Sequence, residues 1–317
     1  MAANWMRRTA LAAACAAAAL LAACGSSTTE SAFTPNRLVA FGDGFTDVGQ
    51  KGSAYTVNDG SLNNWTLQVA SRYGLELKPV SAGGLSYAQG NARVTDTPDA
   101  AVDASTPTVA QQIDSFLASR QFLDGDLVMI NGGVSDIIAG MARVRSGAQT
   151  EEEYLATARR AGETMAAQVA RLSDAGAKHI LVTGTYDLSR TPWAKAIDKQ
   201  TLISQASRNF NDGLLVKIST LNKTVAFVDM AYYVNLFEGS PGGYGFNNGD
   251  TPVCTSVDPG PGIGIGAGEV NSALCTPNTL QSGADTERYV FADKVYITPS
   301  AHRQLGNYAY DRLRVRW

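Results

Sequence analysis

Histidine and cysteine are scarce in this 317-residue chain, which holds two of the first, His179 and His302, and four of the second. Chemistry that needs an imidazole base therefore has only those two choices. Positive charge is neither in excess nor gathered in one place: 26 lysines and arginines stand against 29 aspartates and glutamates, a formal charge of −3. That balance argues against a nucleic-acid-binding surface. No internal repeat is evident, so a solenoid is not expected. The apolar run Ala10 to Leu21 falls short of the ~20 residues that cross a bilayer.

What is present at the N-terminus reads as an address. Arg7 and Arg8 precede that apolar run, which ends in Leu21-Ala22-Ala23-Cys24-Gly25. Small residues before a cysteine at this distance resemble a bacterial lipobox. The resemblance implies removal of residues 1–23 as a signal peptide and lipid attachment at Cys24. Gly25 is not an aspartate, which points to the outer membrane rather than inner-membrane retention. Loss of Arg7 and Arg8 with the leader moves the formal charge from −3 to −5. Residues 24–35 are Ser/Thr-rich and unpatterned, a tether, and a single domain is expected over 36–317. Cys15 leaves with the leader, so Cys254 and Cys275 remain as an even pair in an oxidising compartment. A disulfide is expected there, with free thiols or a metal site as alternatives; no histidine lies near either cysteine. Closing that loop would contribute about 3 kcal/mol.

Downstream, apolar runs alternate with helical patterns. Strands are expected at 38–41, 127–130, 180–182 and 225–228, each a short continuous apolar run. Helices are expected at 63–73, 109–120, 151–175, 202–221 and 298–312, the last opening on Pro299. This order implies an α/β fold, a three-layer α/β/α sandwich around a central parallel sheet. Ligands in such sheets bind beyond the carboxyl ends of the strands. Residues 239–285 lack periodicity and read as a disulfide-pinned surface loop. Their "GPGIGIGAG" (260–268) follows no strand and opens no helix, so it is not a nucleotide fingerprint, and neither cofactor nor metal is expected.

With strand ends placed, the chain resembles the GDSL, or SGNH, esterase and lipase family, in its lipase and haemolysin-like branch. "FGDGFTDVG" (41–49) is similar to that family's first block, usually F-G-D-S-L-S-D-x-G, and "GGLSYAQGNAR" (83–93) to its second. "MINGGVSDI" (129–137) resembles the third, commonly G-x-N-D, and "FADKVYITPSAH" (291–302) the last, usually F-x-D-x-x-H-P-T-x-x-x-H. "NNWTLQVASRYGL" (63–75), "DAGAKHILVTGTYDLSRTP" (174–192) and "PGGYGFNN" (241–248) fit between them in order. The resemblance implies a flavodoxin-like SGNH-hydrolase fold. It also implies acyl transfer by a serine, a histidine base and an aspartate that orients it, with the oxyanion held by amide and asparagine donors.

Carried onto this chain, those positions are largely substituted. The nucleophile position is Gly44, which offers no hydroxyl. The base position is Tyr296, a phenol of ordinary pKa near ~10, followed by Ile297 where proline is usual. The oxyanion asparagine is Ser135, a shorter donor, and the second block's asparagine is Ser86. The second block's glycine is either Gly90, kept, or Asn91, replaced. Asp293 stands at the orienting position, and Gly42, Asp43, Asp47, Asp136, Thr298 and His302 match the frame. His302 matches the family's non-catalytic histidine, and His179 falls on the far side, so structural roles are expected for both. The expectation is a catalytically degenerate envelope lipoprotein that binds an acyl, ester or glycan ligand, or serves as a structural part. The alternative is an active carboxylester hydrolase with a substituted set, in which Ser135 attacks with help from Tyr296 and Asp293; Thr46 points elsewhere.

Overall fold

The structure, a computed structural model, describes residues 32–317. The signal peptide, Cys24 and most of the tether lie outside the described residues. β1 (Arg37–Phe41), β2 (Asp126–Asn131), β3 (Ile180–Thr183) and β4 (Val225–Val228) form one parallel sheet in that order. Leu38 lies opposite Leu127, Met129 opposite Leu181, and Val182 opposite Phe227. β1 to β3 are almost wholly buried, which is why they read as unbroken apolar runs rather than alternating ones. A short edge segment that the sequence reading missed lies along the outer side of β1. The Ala40 N–H donates to the Leu85 carbonyl (3.1 Å) and the Tyr87 N–H to the Ala40 carbonyl (2.7 Å).

Eight helices of the described chain flank this sheet: α1 (Trp65–Arg72), α2 (Val109–Leu117), α3 (Val134–Arg145), α4 (Glu151–Asp174), α5 (Pro192–Ala196), α6 (Gln200–Ile218), α7 (Met230–Gly239) and α8 (Pro299–Arg316). α1 and α8 pack together, while α2, α3 and α6 gather around α4, so helices cover both faces of a parallel sheet in a three-layer α/β/α fold. The helix starts follow from local chemistry. Thr150 accepts from the Glu153 N–H (3.1 Å) while Glu153 accepts from the Thr150 N–H (2.8 Å), a reciprocal cap for α4. Thr298 caps α8, with Pro299 at its first position where no N–H is needed.

α3, α5 and α7 were not foreseen. In α3, Val134, Ser135, Asp136, Ile137, Ile138, Gly140 and Met141 are all buried and only the last turn, with Arg143 and Arg145, is exposed, so the first two turns show no polar face to betray their period. Residues 240–298 are mostly irregular, with one short antiparallel ladder between β5 (Val257–Asp258) and β6 (Glu269–Val270). Cys254 and Cys275 form a disulfide with their Cα atoms 5.9 Å apart. The disulfide pins this segment as the sequence suggested, and most of it is exposed or half-buried, but parts of it enter the core. Ile263 and Ile265 of its glycine-rich stretch are buried in the main core, and the Gly262 carbonyl accepts from Asn91 Nδ2 (2.9 Å). It folds over the carboxyl ends of the strands.

Candidate active site

The loop after β1 is held from beneath by β2 and α2. Gly42 takes φ +147° with Asn131 directly against its Cα, a place where any side chain would collide. Its N–H donates to Gln112 Oε1 (2.8 Å), and Gln112 Nε2 donates back to its carbonyl (3.0 Å). Asn131 Nδ2 donates to Asp43 Oδ1 (2.6 Å), while the Asp43 N–H donates to Asn131 Oδ1 (3.2 Å). Asp43 Oδ1 also accepts from the Phe45 N–H (3.1 Å). Burial pushes the Asp43 carboxyl above its ordinary range. Asn131 and the N–H groups of Phe45, Val134 and Ser135 oppose that shift, the last two from the start of α3.

Asp47 ties this loop to the second block. It accepts from the Gly49 and Gln50 N–H groups (2.9 and 2.7 Å) and from the Gly90 N–H (2.8 Å). Burial lifts its carboxyl to about 6 against those hydrogen bonds. The Gly90 amide, one of the two expected oxyanion donors, is therefore committed to Asp47. Asn91, the other candidate, has a left-handed backbone (φ 65°) and an unpartnered, buried Oδ1. Asp136 accepts from the Val94 N–H (3.1 Å) and faces the Arg93 guanidinium (3.4 Å); burial raises its carboxyl to about 6, with the Arg93 charge opposing. Ser86 sits in the edge segment beside β1, fully buried with an unpartnered Oγ.

The positions that would react are arranged differently from the expected set. A Cβ built on Gly44 would lie 2.7 Å from Cε1, Cζ and Oη of Tyr296. The phenol ring thus occupies the volume a nucleophile's side chain would need. Tyr296 is fully buried, its hydroxyl has no partner, and burial among Asp43, Tyr55 and Asp293 pushes that hydroxyl well above its ordinary pKa. A phenol in that state does not accept a proton at neutral pH. Asp293 is brought close in sequence and space but spends its oxygens on the backbone. It accepts from the Val295 and Tyr296 N–H groups (both 2.7 Å) and from the Ser272 N–H (3.0 Å), shaping the loop rather than orienting a base. Its carboxyl is raised to about 6 by burial, opposed first by Ser272.

Ser135 is fully buried and its Oγ bonds neither Tyr296 nor Asp293. The alternative constellation is therefore not assembled here. Thr46, also buried, accepts from Trp65 Nε1 (3.3 Å). His302 packs against Phe45 (5.6 Å between rings) with both nitrogens unpartnered, and burial lowers its pKa to about 3, so it is a neutral core residue. His179 lies at the opposite end of the sheet, stacked on Phe33 (3.5 Å) and edge-on to Trp317 (5.0 Å). Among the described residues no group of His, Cys, Asp and Glu could hold a metal ion.

Tyr55, Asn131 and Gln112 are the residues that sequence reasoning missed. Tyr55 packs on the Tyr296 ring (5.1 Å between centroids) and lies where a side chain at Gly90 would stand. No spacing signal marked it. Asn131 ends an apolar strand, and a polar residue in that place, just before Gly132, was the available clue.

A parallel sheet between two helical layers, with its loops gathered at the carboxyl edge, defines a three-layer α/β/α scaffold. The GDSL-like Lipase/Acylhydrolase family matches residues 38–309, and the chain belongs to that family. The chain is similar to an uncharacterized protein in the trpE-trpG intergenic region of Pseudomonas putida: 24% identical over 307 residues, 88% of this chain and 49% of that protein. It is also similar to the anther-specific proline-rich protein APG of Arabidopsis thaliana, 25% identical over 201 residues, 59% of this chain and 35% of that protein. The chain thus spans about half or less of these relatives' length. Solved structures that align with it include the inhibitor-bound M. smegmatis aryl esterase (16% identity, 89% of this chain and 99% of that one, TM-score 0.47). Est24, a carbohydrate acetylesterase from Sinorhizobium meliloti, aligns at 15% identity over 89% and 99%, with a TM-score of 0.46.

Proposed function

We propose that this chain is a catalytically degenerate member of the GDSL family, anchored by lipid at Cys24 to the bacterial envelope, with the outer membrane as its site. Its former reaction centre serves as packing core. The chain acts as a binding or structural protein of the envelope rather than as an esterase. One observation carries the reading: the Tyr296 ring stands 2.7 Å from where the side chain of residue 44 would begin. Nucleophile and base are absent together, and what replaced the base fills the place of the nucleophile. An acyl-enzyme needs an attacking oxygen and a proton acceptor within reach of it. The full burial of Phe45, Ser135, Asp293 and Tyr296 further supports the reading, because a substrate has no open path to these atoms. An acyl, ester or glycan ligand would be held outside this centre.

The test uses short-chain p-nitrophenyl esters and a fluorophosphonate probe on the natural protein. Turnover is expected to equal that of a Ser135→Ala, Asp293→Ala control, and no serine should be labelled. A covalent acyl or phosphonyl adduct on any side chain overturns the proposal. A candidate acyl or glycan ligand that raises the melting midpoint without being turned over supports the binding role, and an unchanged midpoint across the candidates supports the structural one.

A further inference from the structure

β4 is the outer strand of the sheet. Beside it runs a groove of about 500 Å³ lined by Val225, Ala226 and Phe227 of β4, Leu215 of α6, and Arg312, Val315 and Arg316 among its α8 residues. No carboxylate lines this groove. Val315 is 81% exposed, unusual for a valine facing a groove rather than standing alone on a polar surface. Arg316 Nε donates to the Val225 carbonyl (3.4 Å), which partly occupies the strand edge.

The chain enters the described fold next to this face. The Ala32 N–H donates to the Trp317 carbonyl (2.9 Å), and Phe33 packs edge-on to Trp317 (6.1 Å), one residue beyond Arg316. From Cys24 to Ala32 the backbone spans at most ~29 Å, at ~3.6 Å per residue. A lipid at Cys24 therefore holds this end of the domain within that distance of the headgroups.

We infer that the β4 edge and the last turn of α8 form a membrane-docking face, with Arg312 and Arg316 on anionic phospholipid headgroups and Val315 entering the interface. The inference rests on the lipid anchor proposed above. Anionic lipid fits better than a second copy of the chain, because a two-fold pairing through this edge would bring arginines against arginines. Basic residues near such a surface each favour binding, while a short anchor removes most of the cost of bringing the face to it.

The experiment places the mature, lipidated protein on vesicles of phosphatidylcholine alone or mixed with phosphatidylglycerol, with brominated acyl chains as quencher. In the mature chain Trp65 and Trp193 are buried (1% and 3% exposed), so Trp317 is the reporter. Quenching of Trp317 is expected on the anionic vesicles and should be lost on neutral ones, in Arg312→Glu with Arg316→Glu, and in Val315→Asp. Palmitate labelling of Cys24 reads the anchor separately. No label overturns the anchor, and this face with it. A labelled protein whose Trp317 is not quenched, or is quenched equally in the charge-reversed variant, overturns the docking face alone. A dimer in sedimentation that keeps Trp317 from the lipid overturns it in favour of self-association.

Discussion

Two sets of residues share the carboxyl edge of this sheet. Asp43, Asp47, Asp136 and Asp293 match the family frame, and each accepts hydrogen bonds from N–H groups of neighbouring loops. Ser135, Tyr296 and Asn91 stand where chemistry was expected, and each keeps a buried polar atom with no partner. On the reading proposed above, the difference shows which residues would outlast a reaction. The carboxylates close turns and join loops, work that folding requires whether or not an ester is ever bound. Ser135 and Tyr296 make no side-chain hydrogen bond of this kind, while Asn91 gives one to the Gly262 carbonyl.

The largest effect is expected where the frame is cut. Asn131→Leu should cost about 3 kcal/mol or more, because Asp43 would stay buried with its principal partner gone. Thermal unfolding reads this, and a loss under about 1 kcal/mol would end the distinction between the two sets. Next comes the packing at residue 44. Gly44→Ser should cost about 2 kcal/mol by crowding Tyr296, and Gly44→Ser with Tyr296→His should cost less than the two changes taken separately. Additive losses in that cycle would mean that the two positions are not interlocked.

A signed pH effect follows from the buried titrating groups. Asp47, Asp136 and Asp293 sit at about 6, above the ordinary 3.8. Between about pH 4 and 6 the fold holds protons that the unfolded chain has released, so these groups make stability fall as pH rises through that window. His302 sits at about 3, below the ordinary 6.5, so it makes stability rise with pH from about 3 to 6.5. His302→Phe removes the rising contribution. Denaturant midpoints for that variant should therefore drop more steeply from about pH 4 to 6 than those of the natural protein. An equal or shallower drop contradicts it. The smallest effect is expected at a reacting position. Ser135→Ala should be neutral or stabilising by up to about 1 kcal/mol, since its buried hydroxyl has no partner to lose. A marked destabilisation would place Ser135 in the frame.

The sheet was legible because its strands are short apolar runs between turn signals, and the long helices because caps such as Thr150 and Thr298 mark their starts. α3 was hidden by the burial of its first two turns, and the Leu85–Tyr87 edge by its brevity. The substitutions at 44, 135 and 296 were visible in the motifs. Their interlock was not, because a sequence names residues but not the volumes they share. The glycine-rich stretch misled for a related reason: Ile263 and Ile265 look isolated among glycines, yet both carry the segment that the disulfide closes into the main core.

The contact between residue 44 and Tyr296 also bears on history. A lineage that drifted back one codon at a time would first meet either a crowded serine with no base, or a histidine facing an empty notch with nothing to deprotonate. Neither intermediate brings an attacking oxygen and a base together. On the reading proposed above, a tyrosine settled against the glycine makes serine and histidine recoverable only as a pair, because each change alone leaves the other half of the chemistry missing.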